Sequence, residues 1–82
     1  MAQVFVNQKY HKNGTWTNNV IVKEDETVDG ALNKAKHQYH AFMSTYAYEQ
    51  DNAIDYASCS VEDVNGMIIM QEVDNRMYRE EE

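Results

Sequence analysis

Asn13-Gly14 lies between two stretches, Gln3 to Tyr10 and Trp16 to Lys23, in which apolar and polar residues alternate. Asn-Gly flanked in this way is the strongest short-range hairpin signal, because both residues accept positive φ. The hairpin still has a choice of register, and a slip of one residue moves every side chain to the other face of the sheet. A two-residue loop sets Lys12 opposite Thr15, Val6 opposite Ile21 and Phe5 opposite Val22, which scatters apolar residues over both faces. A three-residue loop, Lys12-Asn13-Gly14, built on a type I turn with Gly14 left-handed, sets Tyr10 opposite Trp16, Val6 opposite Val20 and Val4 opposite Val22 on one side. That segregation favours the three-residue register, which sends Phe5 and Ile21 together to the other side.

Lys23-Glu24-Asp25-Glu26 ends the second strand, and Thr27 or Asp25 can cap a helix whose first turn carries Asp29 at the positive end of its dipole. Val28, Leu32, Ala35, Tyr39, Phe42 and Tyr46 recur at spacings of four and three, widened by Ala31 and Met43, so the segment reads as an amphipathic helix of about five turns. Gly30 costs about 1 kcal/mol against alanine inside a helix, and its place in the first turn suits a close approach to the sheet. Tyr48 to Ala53 reads as a loop. Ile54 to Val64 and Met67 to Asp74 then flank a second Asn-Gly, Asn65-Gly66. The same three-residue loop pairs Val61 with Ile69 and Ala57 with Val73 on one face, and turns Ile68 and Met70 to the other; a two-residue loop is also compatible with this pair.

The order strand, strand, helix, strand, strand predicts an α+β fold of two layers, a four-stranded, mainly antiparallel sheet with one helix packed on one face. At 82 residues the chain has room for a single domain, read as residues 1–75, with an acidic, frayed tail over 76–82. One cysteine, Cys59, allows no internal disulfide and no paired-cysteine zinc site. The N-terminus shows no charged leader with an apolar run, and Met67-Ile68-Ile69-Met70 is the longest strictly apolar run, far short of a membrane span. These features predict a cytoplasmic protein with no membrane partner. Seven Lys plus Arg against fourteen Asp plus Glu leave a net charge of −7, which repels the phosphate backbone and disfavours direct binding of nucleic acid.

Several residue groups carry possible chemistry, each with a plainer reading. His37 and His40 are three apart on the helix and could share a metal with His11 or a carboxylate, but both lie off the apolar stripe and read as a solvated face. Cys59 lacks an oxyanion-hole loop or a nucleophile turn, and its strand parity with Ala57 and Val61 makes it a small core residue. Asp51, Asp55, Glu62 and Asp63 lack the alternating ligands and glycine of a calcium loop and read as a charged strand edge. The isolated glycines, Gly14, Gly30 and Gly66, build no phosphate cradle. Six tyrosines and Trp16 could stack bases, yet Tyr39 and Tyr46 fall on the helix stripe, and Tyr10 and Trp16 on the favoured core face. No enzyme, cofactor or metal site is predicted.

What remains is the sheet face away from the helix, where Phe5, Ile21, Ile68 and Met70 would form an apolar patch rimmed by Asn7, Asn19, Ser60 and Glu62. Such rimmed patches mark contact sites; the plainer reading scatters the four residues and half covers them with Met77 and Tyr78. The stretches VFVNQKYHKNGTW, ALNKAKHQYHAFMSTYAY and DYASCSVEDVNGMIIMQEV, most of the chain, resemble short bacteriophage and prophage proteins of Gram-positive bacteria. The resemblance contains no invariant motif; it implies a mobile-element origin in a bacterial host and assigns no site residue. Two functions follow as expectations. One is a small acidic interaction module that uses the patch to form a homodimer or to dock on another protein. The other is an anti-defence inhibitor whose clusters Glu24-Asp25-Glu26, Glu62-Asp63 and Glu80-Glu81-Glu82 imitate the charge of nucleic acid.

Overall fold

The computed structural model describes residues 1–46 and 54–75, the last two as backbone. Its elements are β1 (Ala2–Lys12), β2 (Thr15–Asp25), α1 (Val28–Tyr46), β3 (Ile54–Glu62) and β4 (Ile68–Asn75). The strands form one sheet in the order β2-β1-β3-β4, antiparallel throughout, with the helix over one face. This is the two-layer ββαββ arrangement expected of the chain. The tail, 76–82, and the predicted loop, 48–53, lie outside the described residues.

The first hairpin takes the two-residue loop. Asn13 and Gly14 have φ of 54° and 79°, a type I′ pattern, and Lys12 faces Thr15. Val6 therefore opposes Ile21, Phe5 opposes Val22 and His11 opposes Trp16, which corrects the three-residue register. The turn decides: two consecutive residues that tolerate positive φ make the loop whose twist matches that of the strands. The tidier separation of faces was a weak guide because β2 is an edge strand. Beside the helix it needs only Ile21 as an apolar contact, and Thr17, Asn19 and Lys23 share that side without harm to the core.

The second hairpin has the three-residue loop. Asp63 N–H donates to the Met67 carbonyl (3.0 Å), Gly66 is left-handed at φ 80°, and the Asp63 carboxylate accepts the N–H groups of Asn65 (2.8 Å) and Met67 (2.9 Å). Glu62 faces Ile68 as that loop requires. A β-bulge at Ile69 then shifts the register, so that Val61 faces Met70 and Ser58 faces Val73. The expected pairs Val61–Ile69 and Ala57–Val73 do not form, and the bulge turns Met70 under the helix and Val73 away from it.

The core lies between helix and sheet. Val4 and Val6 of β1, Ala57, Cys59 and Val61 of β3, and Ala31, Ala35, Tyr39, Phe42 and Met43 of the helix are buried together, with Ile21, Leu32, Tyr46 and Met70 at the margin. Each large apolar side chain so buried contributes about 1.5–3 kcal/mol. Tyr10 stacks on Tyr46 (centroids 4.3 Å apart) and approaches Phe42 (6.0 Å), closing one end of the layer. Thr27 caps the helix, its Oγ1 accepting the Gly30 N–H (3.0 Å). Gly30 is there for space: a Cβ would stand 1.8 Å from Oδ2 of Asp25, whose other carboxylate oxygen meets Lys34 Nζ at 3.2 Å.

Candidate functional site on the outer sheet face

With the helix on one face, alternate residues of all four strands project from the other. Cross-strand pairing arranges them in rows: Glu24 with Gln3; Val22, Phe5, Glu62 and Ile68; Val20, Asn7, Ser60 and Gln71; Asn18, Lys9, Ser58 and Val73; then Trp16, His11 and Tyr56. Nothing among the described residues packs over this face. Val20, Ile68, Val73, Trp16 and Val22 are 64, 54, 50, 47 and 46% exposed. They lie on the two edge strands, Trp16, Val20 and Val22 on β2 and Ile68 and Val73 on β4, with Phe5 and mainly polar residues of β1 and β3 between them. In the middle, Asn7, Ser58 and Ser60 floor a shallow depression walled by Val20, Lys9 and Gln71.

One end of the face is aromatic. The Trp16 ring meets Tyr56 edge-on (5.1 Å between centroids) and His11 at a tilt (4.6 Å), and Lys9 Nζ sits 4.9 Å from the Trp16 centroid and 5.8 Å from that of Tyr56. Such cation–π contacts hold the ammonium and the rings in one arrangement. The bulge between β1 and β3 leaves Asp55 as an extra residue and brings its carboxylate to His11, whose Nδ1 donates to Oδ1 at 2.5 Å. The opposite end is acidic, with Glu24 and Glu62, and Gln3 Nε2 donates to Glu24 Oε2 (2.8 Å). The face is therefore polarised along its strands.

Of the four residues expected in an outer patch, Phe5 and Ile68 do lie on this face. Ile21 and Met70 do not: both pack against the core beneath the helix, because each hairpin has the register that reverses their parity. Val20, Val22, Trp16 and Val73 take their place. The first three follow directly from the two-residue loop; Val73 depends on the Ile69 bulge, for which the sequence holds no local signal. Trp16, expected beside Tyr10 in the core, lies on the face opposite to it.

The remaining candidates separate in space. His37 and His40 are exposed on the helix, while His11 projects from the far side of the sheet, so the three cannot converge. Among the described residues there is no group of three metal-binding side chains. Cys59 is buried, and burial first, then the charge of Glu72, pushes its thiol up to about 11, the opposite of what a nucleophile needs. Asp55 is committed to His11 and Asp63 to its turn, and Asp51 lies outside the described residues. Tyr10, Tyr39 and Tyr46 pack with the core, Tyr56 joins the outer aromatic end, and Tyr48 and Tyr78 are outside the described residues. No described helix is long and apolar enough to cross a membrane. The chain matches no family model, no curated protein and no solved structure.

Proposed function

We propose that this is a small acidic, non-enzymatic interaction module, encoded by a phage or other mobile element, that works by burying its outer sheet face against a second copy of itself or against another protein. The observation that carries the reading is the uncovered sheet face, on which half-exposed Trp16, Val20 and Val22 along β2 and Ile68 and Val73 along β4 flank a polar middle of Asn7, Ser58 and Ser60. Its extent is adequate: four strands at about 4.8 Å spacing and rows over about 30 Å give a projected area on the order of 600 Å², against the roughly 800 Å² of accessible surface each partner gives to a standard interface. Its polarity also suits a second copy. A two-fold axis lying across the strands brings the Glu24 and Glu62 end of one face over the Lys9 end of the other.

Imitation of nucleic-acid charge has less support, because several of its carboxylates are already engaged. Asp25 pairs with Lys34, Glu24 with Gln3, and Asp63 with backbone amides. The two readings part on salt: binding by charge imitation weakens steeply as salt rises, and burial of an apolar face does not. Sedimentation equilibrium of the full chain tests self-association. Association of the wild-type chain that loses its face-to-face step in the double variant Ile68→Lys/Val73→Lys is the expected result. A wild-type monomer at every concentration removes the homodimer version.

A further inference from the structure

The edge of β2 offers a second surface, distinct from the outer face. In a two-residue hairpin the residues flanking the loop exchange both backbone hydrogen bonds, and such pairs recur at every second position. Lys12 with Thr15 is the first here, so Thr17, Asn19, Ile21 and Lys23 direct their N–H and C=O groups to β1. Trp16, Asn18, Val20, Val22 and Glu24 direct theirs to the open edge. The Glu24 carbonyl confirms this parity, since it is turned out of the sheet and accepts a hydrogen bond from Lys34 Nζ (2.9 Å). Lys34 thus closes the edge at Glu24, and the backbone groups of Trp16, Asn18, Val20 and Val22 stand in a row with no partner among the described residues.

Proteins usually blunt an exposed edge with charge, proline or a bulge. The opposite edge, β4, has such features: it is shorter, bulged at Ile69 and carries Glu72. β2 has none of them over Thr15–Val22, TWTNNVIV, which contains no charge and no proline and pairs with β1 without a register shift. We propose that this edge pairs antiparallel with the same edge of a second copy, making one continuous sheet of two four-stranded halves.

The free positions select the register. Residues that face each other across the seam must lie on the same side of the sheet and must both direct backbone groups outward. Centring the two-fold on Asn19 places Trp16 opposite the second copy's Val22 and Asn18 opposite its Val20, and uses every free position. Centring on Val20 would set Trp16 against Glu24, whose carbonyl Lys34 already occupies; centring on Asn18 would strand Val22 against Gly14 of the turn. In the favoured register Trp16 covers a valine on the outer side, and Thr17 meets Ile21 on the helix side. The seam also joins the two outer faces into one of double width, so the exposed valines of β2 lie at its centre rather than at a margin.

Residue-resolved amide exchange on the full chain, followed from dilute to concentrated protein, reads this arrangement directly. The amides of Trp16, Asn18, Val20 and Val22 are expected to slow at least about tenfold as the protein associates, while those of Thr17, Asn19 and Ile21, already bonded to β1, stay unchanged. Val20→Pro removes one outward N–H without touching the β1 ladder, a substitution that edge strands accept, and is expected to lose the seam, associating less than wild type with its even-numbered amides fast; Ile68→Lys/Val73→Lys, on the far strand, is expected to keep the seam. If Val20→Pro fails to fold, the exchange pattern alone decides. A protein that associates while the even-numbered amides stay fast, a folded Val20→Pro that associates like wild type, or a strict monomer would each overturn the proposal. Association that is lost in the Ile68→Lys/Val73→Lys variant with fast even-numbered amides would overturn the edge and leave the face reading standing.

Discussion

Gly14→Ala tests the turn on which the allocation of side chains to faces depends. Gly14 has φ of 79°, and a Cβ built there meets nothing within 4 Å, so the substitution introduces no clash and its whole effect is conformational. Holding an L-residue with a Cβ in the left-handed region costs about 1–2 kcal/mol. Alanine also narrows the unfolded ensemble, which offsets about 0.4–1 kcal/mol. The expected net loss is roughly 0.5–1.5 kcal/mol, which for a domain of this size lowers Tm by about 4–8 °C per kcal/mol. Gly14→Asn should recover much of that loss, since asparagine tolerates the left-handed region. Thermal and urea melts followed by circular dichroism measure both variants. A Gly14→Ala protein as stable as wild type, or Asn no better than Ala, would refute the type I′ turn and with it the pairing of Phe5 with Val22.

Other consequences follow from single sites. Gln8 is a buried polar side chain in the middle of the core face, and no hydrogen bond to its carboxamide is present among the described residues. Gln8→Met, close in shape, should therefore stabilise the fold by about 1–3 kcal/mol, the burial penalty of an unsatisfied polar group; a loss of stability in urea melts would mean the amide is satisfied. Cys59 has a thiol raised to about 11, from an unperturbed 9.0. Its contribution is fully present below pH 9 and is lost as pH rises toward about 11, because the unfolded chain ionises first; at about 1.4 kcal/mol per unit the loss totals on the order of 3 kcal/mol. Cys59→Ala should remove that slope from the pH dependence of urea stability, and an unchanged slope would contradict the assignment. Gly30→Ala gains about 1 kcal/mol of helix propensity but displaces Asp25 from Lys34, a surface pair worth about 0–1 kcal/mol, and distorts its rotamer at about 0.5–1.5 kcal/mol. Little or no gain is expected in the wild-type background and a gain of about 1 kcal/mol in Asp25→Ala, measured as a double-mutant cycle.

The helix was legible in the sequence because its periodic stripe, its Thr27 cap and its burial agree: Ala31, Ala35, Tyr39, Phe42 and Met43 were all on the predicted face, although Val28, at its start, is exposed. Both hairpins were legible as hairpins from Asn-Gly. Their registers were not, for two different reasons. In the first, local turn energetics and facial segregation pointed in opposite directions, and on an edge strand the turn prevails because so little of that strand enters the core. In the second, the loop followed its predicted form, but the bulge at Ile69 lies between two apolar neighbours, Ile68 and Met70, so either parity satisfies the pattern. Tertiary packing under the helix selects Met70, which no local signal reveals. That a single helix leaves the other side of the sheet uncovered is legible in the element order, but that side has a polar middle, and two of the four residues expected on it, Ile21 and Met70, pack beneath the helix.

The outer face is tested most directly by soluble paramagnetic relaxation of side-chain methyls, recorded as the protein is concentrated or its partner is added. The Val20, Val22, Ile68 and Val73 methyls are expected to lose contact with the paramagnetic agent together, while the exposed Val28 on the helix stays accessible. Association that leaves these four methyls fully accessible, or that protects the helix side in their place, would contradict it.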